Sequence, residues 1–176
     1  MDGRFLQGGD VAELRDQAVR AEADGAGAVF VSDGPLGDPV VLAAGLASLV
    51  HRVLLGVRTP LTAGRHPAVL ARDLTALDLV CGARSVLCVP PPFGEPETLI
   101  EAIGLCRALW REGVADGGTH FPVVGAVNRP RPATGGSPLV ALDLTANDEA
   151  APALLGAADL LLRPTGDPAV CSLERT

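Results

Sequence analysis

The chain has 176 residues, 48% of them hydrophobic and only 3% aromatic, which suits one domain with a core of Leu, Val and Ala. Its formal net charge is −7 and every basic residue is Arg, with no basic stripe to offset the acidic total, which excludes a nucleic-acid surface. No window holds about 18 uninterrupted apolar residues, so no bilayer span is expected, and the opening MDGRFLQGGD lacks the basic-then-apolar order of an export signal, which points to the cytoplasm.

A short strand is expected at Arg4–Leu6. Asp10 is placed to cap a first helix, in which Val11, Leu14, Ala18 and Ala21 recur at helical spacing until Gly25 and Gly27 stop the run. AVFVS, residues 28–32, is a continuous apolar run of the kind found in a strand buried on both faces. Asp38 and Pro39 open a second helix reaching Val50, and residues 53–59 form the next strand. Pro67 suits the first turn of a third helix with Leu70, Leu74, Leu77 and Cys81 on one stripe. A strand at 85–89 follows, then a helix from Pro96 to Arg111 striped by Leu99, Ile103, Cys106 and Trp110, with Trp110 at the core or an interface. Residues 112–138 are rich in Gly, Pro and Arg and hold a small hairpin around THFPVVGAVN. Residues 139–143 read as a strand, 148–156 as a short helix and 159–163 as a strand, with the tail beyond Pro164 loosely held.

Strands alternate with helices, and the connections are too long for hairpins. That pattern specifies right-handed crossovers and a parallel sheet in a single domain covering residues 1–176. A complete (β/α) barrel takes about 250 residues, and at least about 200. The expectation is therefore an α/β fold of the incomplete TIM-type barrel class with mainly parallel strands, lacking most of the C-terminal part of a full barrel; an open sheet is the alternative. An incomplete barrel leaves strand edges and apolar helix faces uncovered, which predicts a partner, either a second copy or a related subunit.

The four cysteines, Cys81, Cys88, Cys106 and Cys171, form no C-x-x-C pair and read as reduced thiols. No two of the three histidines stand at metal-ligand spacing, so no metal site is expected. His51 reads as a helix-end residue, His66 as a turn-setting residue before Pro67, and His120 as part of the hairpin. There is no G-x-S-x-G elbow for a hydrolase triad and no P-loop or dinucleotide fingerprint after a strand.

Four segments in order carry a specific likeness: AEADGAGAVFVSDG, DPVVLAAGLASLVHRVLLGV, RHPAVLARDLTALDLVCGARSVLCV, and EAIGLCRALWREGVADGGTHF followed by PRP. Together they resemble the luciferase-like flavin- and F420-dependent oxidoreductases over about residues 15–140. The resemblance implies a TIM-type barrel that binds FMN or F420 at the C-terminal ends of its strands. It also implies oxidoreductase or monooxygenase chemistry on a small organic substrate. The matching strand ends supply Asp33, Gly34, Arg58, Thr59, Pro90 and Pro91 as the candidate cofactor-binding residues, with Thr145 and Arg163 at two further strand ends.

Three departures bear on function. Gly34 stands where the family commonly has His, which removes a proton-moving side chain. Arg58 stands where a small residue usually rests against the ring. Pro90, Pro91 and Pro92 replace a Gly-rich turn, giving a stiff wall without N–H donors. No residue is assigned as catalytic acid or base. Asp33 also reads as a turn residue, and Arg58 as half of an ion pair with Asp33 or Asp73, the reading favoured for it. The alternative function is a catalytically degenerate relative acting as a binding protein or partner subunit. A phosphate-sugar barrel enzyme is less well supported, because no Gly-rich phosphate loop is present.

Overall fold

In chain order the strands are β1 Asp2–Phe5, β2 Ala28–Ser32, β3 Leu54–Arg58, β4 Ser85–Val89, β5 Val114–Ala115, β6 Ala126–Val127, β7 Leu139–Asp143, β8 Leu160–Pro164 and β9 Val170–Arg175. The helices are α1 Val11–Ala23, α2 Pro39–Leu46, α3 Pro67–Cys81, α4 Pro96–Glu112 and α5 Pro152–Leu155. These come from a computed structural model, which describes residues 1–61, 65–91, 94–133, 135, 137–146 and 150–176. Pro92, the third proline of the predicted wall, lies outside the described residues.

Seven strands form a closed ring in the order β1-β2-β3-β4-β7-β8-β9. The first six are parallel, as the alternation of strands and helices predicts. β9 runs the other way and pairs with both β8 and β1, joining the two sides of the ring. The barrel is thus incomplete in its count of parallel strands and yet continuous in its hydrogen bonds. Two expectations change as a result. The tail beyond Pro164 is an ordered closing strand, because its backbone donors and acceptors complete both neighbours. The open strand edges expected of an incomplete barrel are filled by the chain itself.

Smaller differences lie at element ends. The first strand runs from Asp2 to Phe5, slightly earlier than expected. The regular part of α2 stops at Leu46, although tighter bonds from Leu49 and Val50 to the Leu46 carbonyl continue the turn. The predicted helix over 148–156 is regular only at Pro152–Leu155, and residues 147–149 lie outside the described residues. The hairpin expected around 119–128 is the antiparallel β5–β6 pair with its long connection.

Alternate residues of each strand face two different cores. Val29, Val31, Leu55, Val57, Leu87, Val140 and Leu142 pack outward against the helices. Ala28, Phe30, Val86, Cys88, Ala141, Leu162 and Cys171 fill the barrel. Burial on both faces explains why these strands read as unbroken apolar runs. Phe30 lies across the interior because Gly3 and Gly56 leave room for it: a Cβ on either would collide with its ring. Outside, the Trp110 indole N–H donates to the Ala71 carbonyl at 2.9 Å, binding α4 to α3. At the N-terminal end, Arg84 donates to the carbonyls of Cys81 and Val53 at 2.7 Å and of Val50 at 3.0 Å. This guanidinium satisfies chain ends that a turn of this shape leaves unpaired.

All four cysteines are free and buried. Burial pushes the Cys106 and Cys171 thiols up to about 12, so neither carries a thiolate at neutral pH. No helix among the described residues is long and apolar enough to cross a membrane.

Two measurements test this packing. Gly56→Ala is expected to cost about 1–3 kcal/mol through overpacking against Phe30, read as a lower urea midpoint, with part regained when Phe30→Leu is added. An unchanged midpoint would show that the ring does not occupy the space left by the glycine. The second concerns Glu101, whose carboxylate accepts the backbone N–H groups of Thr119 and His120 at 3.0 Å and of Phe121 at 2.8 Å. Desolvation raises its pKa, but the N–H donors and the nearby His120 outweigh this and hold it below the ordinary 4.5. The folded carboxyl therefore titrates below its unfolded value, and the contact persists down through that ordinary value before weakening in stronger acid. Amide signals of Thr119, His120 and Phe121 that shift with a midpoint above 4.5 would contradict this.

Candidate functional site

The C-terminal ends of the six parallel strands form one rim, and the entry to β9 joins it. Alternation turns Phe5, Ser32, Arg58 and Asp143 toward the mouth of the barrel, above the apolar filling. With Leu6, Gln7, Thr145 and Pro168 they enclose a hollow of about 340 Å³.

Its floor is an ion pair. Arg58 Nε donates to Asp143 Oδ2 at 2.7 Å, crossing from β3 over β4 to β7. The Thr145 backbone N–H and hydroxyl donate to Asp143 Oδ1 at 3.0 and 2.6 Å. Asp143 is fully buried, and both carboxylate oxygens are occupied. It holds Arg58 in place. The Arg58 guanidinium carbon lies 5.7 Å from the centre of the Phe5 ring, a cation–π distance. Its Nη atoms make no hydrogen bond among the described residues, and the side chain is 30% exposed. The site therefore offers a fixed cation, an aromatic face and the Ser32 hydroxyl, which makes no hydrogen bond among the described residues. Among the lining residues the Thr145 hydroxyl is bonded to a carboxylate, that of Asp143, which Arg58 also holds. This arrangement can bind and orient a planar, carbonyl-bearing group.

The luciferase-like monooxygenase profile matches residues 2–158 of the chain. The chain belongs to that family. Among solved structures, this family member is similar to an F420-dependent secondary alcohol dehydrogenase in complex with an F420–acetone adduct: 18% identity, TM-score 0.72, over 92% of this chain and 57% of that one. It is also similar to the EDTA monooxygenase of Chelativorans sp. BNC1, at 17% identity and TM-score 0.70, over 89% and 49% of the two chains. A third is the oxygenating constituent of 3,6-diketocamphane monooxygenase from the CAM plasmid of Pseudomonas putida, in complex with FMN, at 16% identity and TM-score 0.60, over 73% and 44%. These likenesses concern the fold. The luciferase-like chain spans about half the length of the solved structures it matches. No curated protein matches it.

Within this luciferase-like barrel the six candidate residues divide into three groups. Arg58 lies in the hollow, but its acidic partner is Asp143, not Asp33 or Asp73. Asp33 instead accepts the Thr59 hydroxyl at 2.5 Å, and Asp73 stands 3.6 Å from Arg65. Asp33 and Gly34 line a smaller adjoining hollow of about 140 Å³ that shares Leu6, Gln7 and Ser32 with the first. Thr59 is buried and fastens β3 to β2 through Asp33. Pro90 is buried and Pro91 half-buried on the opposite arc, and neither lines the two hollows.

The other polar residues read as scaffold. His66 Nδ1 accepts the Ala68 N–H at 3.2 Å at the start of α3, as a turn-setting residue would. Arg65 is tied to Asp38. No group of three or more metal-ligating side chains occurs among the described residues.

Sequence reasoning put Asp143 at a strand end without a role and passed over Phe5, Gln7 and Pro168. For Asp143 a signal existed: a lone carboxylate ending the apolar run LVALD demands a buried partner. Pro168 could not be found, because its place depends on the unexpected β9.

Asp143→Ala strands Arg58 and two Thr145 donors. The expected loss is roughly 1–3 kcal/mol, below the full cost for a buried pair because Arg58 reaches solvent. Asp143→Asn, which keeps an acceptor for Thr145, should lose less. Urea unfolding checks both, and an Ala variant as stable as the parent would remove the ion pair from its role at the mouth.

Proposed function

We propose that this luciferase-like barrel holds FMN or F420 at its C-terminal rim and acts as an oxidoreductase or monooxygenase on a small organic substrate. The observation that carries the reading is the hollow over the Arg58–Asp143 pair, at the strand ends where barrel chemistry is built. Family membership supports the class of reaction. Two structures with the same fold were determined with an F420–acetone adduct and with FMN.

The lining residues fit the ring of such a cofactor. Arg58 Nη donors can meet ring carbonyl oxygens, Phe5 and Leu6 give an apolar face, and Gln7 and Ser32 offer polar edges. A volume of about 340 Å³ is at the lower end of ligand hollows, which run roughly 300–1,000 Å³. That suits the ring of the cofactor and leaves its tail to lie outside. The cofactor would supply the electron or oxygen chemistry, while the chain binds it, fixes its edge through Arg58 and keeps water from the covered face.

The second reading, a non-catalytic binding protein or partner subunit, draws on Asp143. Its occupied oxygens leave the hollow without an ionised group free to move a proton. A partner copy or related subunit belongs to both readings. Its support is now the set of exposed apolar residues on the helices, among them Val11, Val41, Val69 and Val80, in place of strand edges. Four buried free thiols suit a reducing compartment, in keeping with a cytoplasmic setting.

Titration with FMN and with F420, followed by fluorescence, is expected to show saturable micromolar binding of one of them. Arg58→Ala should weaken it about tenfold or more, the loss of one or two charge-assisted hydrogen bonds. Binding without turnover of any tested substrate would favour the second reading. Absence of binding to either cofactor would remove the first.

A further inference from the structure

Arg58 and Asp143 are the only charged residues among those described that line the rim hollow, and they present themselves to it differently. The Asp143 side chain is 1% exposed and the Arg58 side chain 30%. The carboxylate spends Oδ2 on Arg58 Nε and Oδ1 on the two Thr145 donors, while the Arg58 Nη atoms make no hydrogen bond among the described residues. The cation is thus the open member of the pair and the acid the covered one. The nearest further acid on the rim, Asp33, lines the adjoining hollow and is engaged with the Thr59 hydroxyl.

Cys88 reports how the two charges balance inside the barrel. It is the register partner of Arg58 on β4 and is fully buried. Burial pushes its thiol well above the ordinary range, Asp143 pushes it further, and Arg58 pulls it back. The carboxylate outweighs the guanidinium there, although Arg58 is the register neighbour. The charge of Asp143 therefore reaches beyond its own hydrogen bonds and offsets that of Arg58 in the space around the mouth.

We propose that Asp143 is a potential-setting residue: it screens Arg58, so that the mouth of the barrel does not hold the reduced form of a flavin-type ring in preference to the oxidised form. The inference rests on the ring-binding reading above and says what the ion pair does for it. Reduction makes such a ring electron-rich, and an unscreened guanidinium at its edge binds that form more tightly, which makes the bound cofactor a poorer reductant. A cofactor that passes electrons to oxygen or to an organic substrate is served by a mouth without that preference. Holding Arg58 in place requires only an acceptor. Cancelling its charge requires a carboxylate, and the three donors on Asp143 keep that carboxylate ionised in a buried position.

The test measures the dissociation constants of FMN and of F420, each oxidised and each reduced beforehand with dithionite, by ultrafiltration under argon. The ratio of the two constants gives the change in potential on binding, about 30 mV for each factor of ten in a two-electron couple. Relative to the parent, Asp143→Asn should move the ratio at least about tenfold in favour of the reduced form. Asp143→Asn combined with Arg58→Gln, a neutral pair again, should bring it back toward the parent. Thr145→Val, which removes a bond to the same carboxylate with no change of charge, should leave it where it is. Arg58→Gln alone should move it the other way, and reads the same balance should Asp143→Asn fail to fold by circular dichroism. A parental ratio in Asp143→Asn, or an equal shift in Thr145→Val, overturns the screening role and leaves the ring site standing. A shift in Arg58→Gln toward the reduced form overturns it as well. A parent that binds neither cofactor in either form overturns both readings.

Discussion

A sheet with a free edge presents a row of backbone donors and acceptors to solvent and to other chains, and this molecule is organised around removing that exposure. Six parallel strands are two short of the eight in a complete ring of this type. β9 solves the problem by returning antiparallel between β8 and β1. An antiparallel strand needs only a tight return, here through residues 165–169, whereas another parallel strand would require a full crossover helix. The closed ring in turn creates an enclosed interior narrow enough that one aromatic ring, Phe30, spans much of it. Glycine at positions 3 and 56 is the condition for that ring to fit.

Closure also determines the mouth. With Phe30, Val86, Cys88 and Leu162 filling the barrel, any polar group at the next layer sits on an apolar floor with solvent above. Asp143 would be costly there alone. It is held by three donors from Arg58 and Thr145, and Arg58 is backed by Phe5. The result is a mouth whose charges cancel and whose geometry is fixed. Such an arrangement gives orientation and selectivity.

The parallel core was legible in the sequence because burial on both faces writes itself as unbroken apolar runs, and because capping residues mark the helix starts. Asp10, Asp38 and His66 each accept the N–H that their positions before the helices imply. β9 was not legible. VCSLER is short, half polar and ends in two charges, so it reads as tail, although Cys171 and Leu173 pack into the barrel and ladders hold it on either side. The candidate site suffered from the same gap. Asp33, Arg58 and Thr59 could be placed at strand ends from pattern alone. Which acid meets which cation could not, because that depends on the order of strands around a ring: Arg58 and Asp143 are 85 positions apart in sequence and face each other across β4.

The prolines acquire a meaning from the same geometry. The last ladder bond between β3 and β4 runs from the Thr59 N–H to the Cys88 carbonyl, and Pro90 has no N–H with which to return one. The β4 arc of the rim therefore ends in backbone that can neither continue the sheet nor donate to a ligand. The rest of the rim, from β7 through β9 to β1, β2 and β3, carries Asp143, Thr145, Gln7, Arg58 and the two rim hollows lined by Leu6 and Gln7. A rim of this kind is polar on one side and donor-free on the other.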